Sequence, residues 1–87
     1  MDEIYELGFK LGKSGVFSKG QMMILNSLFF NACNKDRLIQ MILIACKSEN
    51  LIASDLLMNN LYDLEIKSNF LVGLLNGSLN EKELVLE

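Results

Sequence analysis

One stretch of the sequence limits the fold more than any other. From Leu38 to Cys46 the only polar side chain is Gln40. Apolar side chains then surround the predicted helix instead of forming one stripe, which is typical of a helix buried on most sides. The run is far shorter than the roughly 20 apolar residues that a membrane span needs. We therefore expect a central helix that the rest of the chain must cover.

The composition agrees with a small helical domain. A chain of 87 residues is long enough for one modest core. Hydrophobic residues make up 51% of it, and there is no proline, histidine or tryptophan, which favours packed helices over disorder. The acidic opening MDEIYE does not resemble a signal peptide, which begins basic and continues apolar. We expect a cytoplasmic protein with no membrane contact.

The sequence offers little for catalysis. The run Gly12-Lys13-Ser14 resembles the end of a phosphate-binding loop, but Leu7 stands where that motif requires its first glycine. Without histidine, the commonest general base and metal ligand is missing. Cys33 and Cys46 lie inside apolar runs, where cysteine behaves as a small buried hydrophobe. We expect no enzyme, no catalytic residue, no cofactor and no metal site.

Start and stop signals predict where the first helices lie. The first spans residues 2–15, with acidic residues in its first turn, lysines in its last, and Gly15 suited to a left-handed stop. Ser18 and Gln21 have the spacing of a capping box. They predict a second helix from about Lys19 to Ala32.

Similar signals predict a third and a fourth helix. Asn34 can cap a helix that begins at Lys35. The sequence KSEN, residues 47–50, breaks this third helix. Ser54 can then cap a short fourth helix that continues through about Tyr62.

The last signals complete the predicted architecture. Asp63 can cap a fifth helix that ends at Asn76, just before Gly77. The remaining residues are polar, and we expect them to be frayed or docked on a neighbour. The prediction is an all-α, compact bundle of about five short helices, with a helical domain over residues 1–77 and a C-terminal tail over 78–87.

A bundle of this size cannot easily cover an apolar third helix and also bury all of its other large apolar side chains. The residues in question are Met22, Met23, Phe29, Phe30, Phe70, Leu71 and Leu75. Two interpretations stay open. These side chains fill the core, or some of them form an exposed patch that binds a protein, a role to which adaptable methionines are suited.

Charge is distributed unevenly along the chain. Residues 8–47 carry six basic residues and one acidic residue, Asp36, so six minus one gives +5, whereas residues 48–87 carry −5 and residues 1–7 carry −3. The basic residues are candidate contacts to nucleic-acid phosphates: Lys10, Lys13, Lys19, Lys35, Arg37 and Lys47. Lys10, Lys13 and Lys19 rank first, because the first two share a face of the first helix and the third starts the second helix just across the turn. Such asymmetry indicates a face for a polyanion and another for a basic partner. The alternative is a set of solvated faces without a partner.

From Leu25 to Gly77 the pattern resembles a family of defence proteins. The residues that carry the likeness are Leu25-Asn26-x-Leu28, Asn34-Lys35-Asp36, Leu43, Ser48, Leu56, Leu61 and Phe70-Leu71-x-Gly73-Leu74. The pattern is similar to the C-terminal helical region of the large subunit of type I-B CRISPR Cascade complexes, a region that can also be made separately as the small subunit. Ile44 and Ala53 depart from it, standing where an arginine and a proline are expected.

The resemblance implies a non-catalytic subunit in antiviral defence. Its partners would be other Cascade subunits, including copies of itself. It would also contact the displaced DNA strand, the guide RNA and the guide–target duplex through their backbones, without sequence specificity. The alternative is a small phage or bacterial inhibitor or adaptor that binds a protein and never contacts nucleic acid, and the overall charge of −3 favours this alternative.

Overall fold

The first helix ends at the glycine that the sequence marks as a stop. The computed structural model describes residues 3–30, 35–53, 59 and 63–86, and in it helix α1 spans Glu3–Ser14. Gly15 follows with a φ of 73°, and its N–H donates a hydrogen bond of 3.3 Å to the Gly12 carbonyl oxygen. The predicted stop is confirmed, because a positive φ favours glycine.

Helix α2 spans Lys19–Phe29 and begins with the predicted capping box. The Ser18 hydroxyl oxygen accepts from the Gln21 N–H at 3.2 Å, and the Ser18 N–H donates to the Gln21 Oε1 at 2.9 Å. Each residue thus accepts, through its side-chain oxygen, a hydrogen bond from the backbone N–H of the other. The helix ends at Phe29 rather than at the predicted Ala32.

Helix α3 spans Lys35–Ser48 and ends in the KSEN sequence as predicted. Asn50 has a φ of 57°, the Asn50 N–H donates to the Lys47 carbonyl oxygen at 3.3 Å, and the Leu51 N–H donates to the Cys46 carbonyl oxygen at 2.8 Å. This pair of bonds around a left-handed residue is a Schellman motif. Asn34, the predicted cap, lies outside the described residues.

Helix α4 spans Leu64–Leu86, so the last helix is longer than the sequence predicted. Asp63 caps it as predicted, since its Oδ1 accepts from the N–H groups of Glu65 at 3.0 Å and Ile66 at 3.3 Å. The helix then continues through Gly77, where the sequence predicted its end. A stop at Asn76 is therefore wrong. The boundary between residues 1–77 and 78–87 lies within a continuous helix, and the division into domain and tail stays a prediction.

The described part of the chain is all helical, with four helices and no strands. The fourth predicted helix, from Ser54 to Tyr62, lies outside the described residues except for Asn59, which is helical. The Cα radius of gyration is 12.1 Å, close to the value of about 12 Å expected for a compact chain of this length. A compact all-α fold is confirmed, with four helices described where the sequence predicted about five.

Helices α1 and α4 are in backbone contact along a pair of glycines on each. A Cβ atom at Gly73 would collide with the Tyr5 carbonyl oxygen, and one at Gly77 with the Phe9 carbonyl oxygen. From the first contact to the second, the position advances by four residues toward the C-terminus on both helices. The two helices therefore run parallel. Gly8 and Gly12 make the reciprocal contacts, to the carbonyl oxygens of Phe70 and Leu74.

The glycines permit an approach that any other residue would prevent. At each of the four positions the nearest neighbour of an added Cβ atom would be a backbone oxygen, which cannot move aside as a flexible side chain could. In glycine, a Cα hydrogen occupies the position that a Cβ atom would take, as in the weak Cα–H···O contacts of close helix pairs. A hydrogen bond of 2.9 Å from Asn76 Nδ2 to the Tyr5 hydroxyl joins the same two helices.

All four helices contribute to the core. Its buried apolar members are Ile4, Leu7, Leu11, Leu25, Leu28, Phe29, Leu38, Ile42, Ala45, Cys46, Phe70 and Leu74. The rings of Phe29 and Phe70 lie 5.8 Å apart at 44°, and they join α2 to α4. Cys46 is buried as predicted, whereas Cys33 lies outside the described residues.

The structure separates the two interpretations of the surplus apolar side chains. Phe29 and Phe70 fill the core, but Met23 is 74% exposed and Phe30 is 68% exposed. Helix α3 is not buried on most sides, because Leu43 and Ile44 are exposed. The prediction for α3 is wrong because one side of the helix, with Leu38, Ile42, Ala45 and Cys46 buried and Ile39 and Met41 half-buried, packs against the described core, while the other side is exposed.

None of the helices in the described ranges combines enough length with enough apolar character to cross a bilayer.

Candidate functional site

The predicted phosphate contacts lie on three helices. Lys10 and Lys13 are on α1, Lys19 is the first residue of α2, and Arg37 and Lys47 are near opposite ends of α3. All five are exposed, and none of their side chains forms a hydrogen bond or ion pair with another described residue. Lys35 begins α3, and its side chain lies outside the described part of the chain. The five described cations are therefore available to an anionic ligand.

The fold brings some of these cations together. Lys10 and Lys13 are three residues apart on one helix and share a face. Lys13 and Lys19 flank the short turn between α1 and α2. These three are the strongest candidates for one phosphate-binding track.

Other cations stay apart. Arg37 and Lys47 belong to one continuous helix, and their separation of ten residues corresponds to about 15 Å along its axis. They share an exposed side of α3, yet one phosphate cannot contact both. The structure thus does not gather all six predicted residues into one site.

Acidic residues reduce the positive potential around Lys10. It lines a cavity of about 440 Å³, the α1 cavity, together with Glu3, Glu6, Leu7, Asn50, Leu51 and Ile52. Glu6 precedes Lys10 by one helical turn, a spacing at which opposite charges attract. Among the three cations of the predicted track, Lys10 should therefore contribute least to phosphate binding.

One basic residue that sequence reasoning left out has a structural role. Lys67 Nζ donates a hydrogen bond of 3.0 Å to the carbonyl oxygen of Phe29, the last residue of α2. Carbonyl groups at a helix end have no partner within the helix, and a cation there is favoured by the helix dipole. The two residues are far apart in sequence, so no local pattern could have indicated this contact.

Two apolar grooves lie between helices. The α2–α4 groove has a volume of about 220 Å³ and is lined by Met22, Met23, Asn26, Leu71 and Leu75. The α2–α3 groove has a volume of about 270 Å³ and is lined by Val16, Phe17, Gln21, Met41, Ile44, Ala45 and Ser48. Exposed apolar surface of this kind marks protein contacts more often than catalytic sites.

The described residues form no metal centre. They contain no group of three or more cysteine or acidic side chains able to hold a metal ion. Burial raises the pKa of the Cys46 thiol above its ordinary value, which disfavours the nucleophilic thiolate.

Comparison of the chain with protein-family models, with curated proteins and with solved structures finds no match.

Proposed function

We propose that this chain is a non-catalytic small subunit of a CRISPR Cascade effector complex. In this role it supports assembly and binds the displaced DNA strand and the guide–target duplex without sequence specificity. One observation carries the proposal beyond the resemblance in sequence: three exposed cations, Lys10, Lys13 and Lys19, lie on α1 and at the start of α2, and their side chains have no partner among the described residues. They belong to the segment 8–47, whose net charge is +5. Such cations bind phosphates and release counterions.

Binding of this kind would follow charge rather than base identity. Contacts to phosphates fix position on a nucleic acid but carry no sequence information. Among the described aromatic residues, Phe29 and Phe70 are buried and the Tyr5 hydroxyl accepts a hydrogen bond from Asn76, so the exposed ring of Phe30 is the one most open to base stacking. Lys13 and Lys19 would be the main contacts, and Lys10 would assist them.

The exposed apolar residues suit a subunit of a larger assembly. Met23, Phe30 and Ile44 are each more than half exposed, on α2, at its C-terminal end and on α3. In an assembly, neighbouring subunits would cover these side chains. The free chain should accordingly associate or require a partner for solubility.

A protein-binding inhibitor or adaptor is the second candidate. The same exposed apolar residues favour it, and so does the overall charge of −3, which repels a free polyanion at long range. The two candidates differ in one property. Only the Cascade subunit should raise the affinity of its complex for DNA.

Co-expression tests the proposal. The tagged chain would be produced with the Cascade subunits encoded beside its gene, and the purified complex compared with one prepared without the chain. We expect co-elution in size-exclusion chromatography and tighter binding of single-stranded DNA by the complete complex. Failure to co-elute, or equal DNA affinity of the two complexes, would contradict the proposal. Binding to one protein without any gain in DNA affinity would favour the inhibitor or adaptor.

A further inference from the structure

Helix α3 presents an exposed face with an apolar centre and a cation toward each end. Arg37, Gln40, Ile44 and Lys47 are spaced by three, four and three residues, which places them along one side of a helix. All four are exposed, and Ile44 at the centre is 69% exposed. The two cations are separated by about 15 Å along the axis. We call these four residues the α3 face.

The α3 face continues into the α2–α3 groove. Ile44 belongs to both the face and the groove and forms the edge that they share. On the other side of the groove, Val16 and Phe17 are half-buried and pack against the core. A ligand that covers Ile44 can therefore insert an apolar side chain into the groove beside it.

Cations outnumber acidic side chains on this surface. Residues 16–21 contain Lys19 and no acidic residue, and residues 37–48 contain Arg37 and Lys47 and no acidic residue. Asp36 is exposed and precedes Gln40 by four residues, so it lies on the same side of α3, and together with Arg37 and Lys47 it leaves a net charge of +1 there (two minus one). Glu49 lies just beyond the C-terminal end of α3. Glu49 is half-buried, and its Oε2 accepts a hydrogen bond of 3.4 Å from the Ser48 hydroxyl.

We propose that the α3 face and the α2–α3 groove together bind an acidic amphipathic helix of a partner protein. Apolar side chains on one stripe of that helix would cover Ile44 and enter the groove. Acidic side chains about 15 Å apart would pair with Arg37 and Lys47. The inference does not depend on the proposed function, which rests on Lys13 and Lys19.

Other ligands fit this surface less well. A phosphate backbone could pair with the two cations, but it would leave Ile44 and the apolar groove exposed to water. The α3 face has no aromatic side chain on which a base could stack, and Phe17 in the adjoining groove is half-buried against the core. A second copy that presented the same face would bring like charges together, because a two-fold contact pairs identical patches.

Peptide binding to the intact chain tests the proposal. The probe is a fluorescent peptide of about 18 residues, with leucines along one helical stripe and glutamates on its flanks. A twin peptide carries lysine at each glutamate position and is the matched control. In fluorescence anisotropy at low salt, we expect the acidic peptide to bind at least about tenfold more tightly than its twin.

Variants of the chain locate the binding surface. Arg37→Glu combined with Lys47→Glu should weaken binding of the acidic peptide by about tenfold, and Ile44→Ser should also weaken it. Leu75→Ser, in the α2–α4 groove, is the control and should leave the affinity unchanged. All the replaced side chains are exposed, and circular dichroism would verify that each variant folds.

Amide chemical shifts of the wild-type chain give a readout that needs no variant. The acidic peptide should shift the resonances of residues 16–21 and 37–48. Equal affinity for both peptides, or shifts confined to the α2–α4 groove, would overturn the proposal. An oligothymidylate that bound the α3 face more tightly than the peptide would reassign it to nucleic acid. Self-association abolished by the Arg37 and Lys47 changes would reassign it to a second copy.

Discussion

Ser18 stabilises the beginning of α2 through two reciprocal hydrogen bonds with Gln21. Replacement by alanine removes the side-chain acceptor and leaves a helix N–H without its partner. We expect Ser18→Ala to lower the free energy of unfolding by about 1 kcal/mol, measured by urea denaturation. Ser68→Ala is the control, because Ser68 is exposed within α4 and its hydroxyl forms no hydrogen bond with another described residue. Equal stability of the two variants would contradict the role of the cap.

Burial of Cys46 links stability to pH. Desolvation raises the pKa of the folded-state thiol, so the unfolded chain ionises at lower pH than the folded chain. The stabilising effect of the neutral thiol is complete below the unfolded-state pKa and is lost as the pH rises through the folded-state value. Between about pH 8 and 10, stability should fall more steeply in the wild type than in Cys46→Val. Parallel curves from chemical denaturation would contradict this assignment.

Residue-scale features could be predicted wherever they depend on near neighbours. The Ser18 cap, the Gly15 stop and the Asp63 cap each involve residues within one turn, and the sequence indicated all three correctly. The bond from Lys67 to the Phe29 carbonyl could not be predicted, because it joins residues that only the tertiary fold brings together.

At the scale of helices, the parallel contact of α1 with α4 depends on glycines in both. Gly12→Ala and Gly77→Ala should each destabilise the fold by about 3 kcal/mol, because the added methyl group collides with a backbone carbonyl of the opposite helix. Both can be measured by thermal or urea unfolding.

Gly20 provides the matched control for these substitutions. It is exposed in α2, and a Cβ there would have Ser18 Oγ as its nearest neighbour, at 3.9 Å. Gly20→Ala should stabilise the chain by about 0.5 kcal/mol through helix propensity alone. If Gly12→Ala or Gly77→Ala behaved like Gly20→Ala, the close approach of the two helices would be refuted.

The same glycines show why element ends were harder to predict than element starts. Gly77 follows a helical pattern, and glycine in that position is typical of a stop. Whether a glycine ends a helix or packs it against another depends on the opposite surface, here the Phe9 carbonyl. The exposure of Ile44 was missed for a similar reason, since an apolar sequence does not reveal how many neighbours the fold supplies.

At the scale of the whole molecule, the described cations lie on two surfaces that differ in their apolar surroundings. Lys13 and Lys19 flank the turn between α1 and α2, and they are the basis of the proposed contact with nucleic acid. Arg37 and Lys47 lie on either side of an exposed isoleucine, which suits a protein partner better. The sequence predicted one track for Lys10, Lys13 and Lys19, but it left the place of the α3 cations open, because net charge along a segment does not reveal which of its residues share a surface.

The salt dependence of DNA binding tests the proposed nucleic-acid contact most directly. The assembled complex would be prepared with the wild-type chain, with Lys10, Lys13 and Lys19 changed to glutamine, and with Arg37 and Lys47 changed to glutamine as the control. Affinity for single-stranded DNA would be measured across a range of salt concentrations. Each lost phosphate contact should reduce the slope of log affinity against log salt by about 0.7.

We predict that the triple variant binds DNA more weakly and reduces this slope by about 1.4 to 2.1, the value expected for two to three lost contacts. The double variant should match the wild type in both affinity and slope. Unchanged affinity and slope in a correctly assembled triple variant would contradict the account and favour a chain that binds only protein.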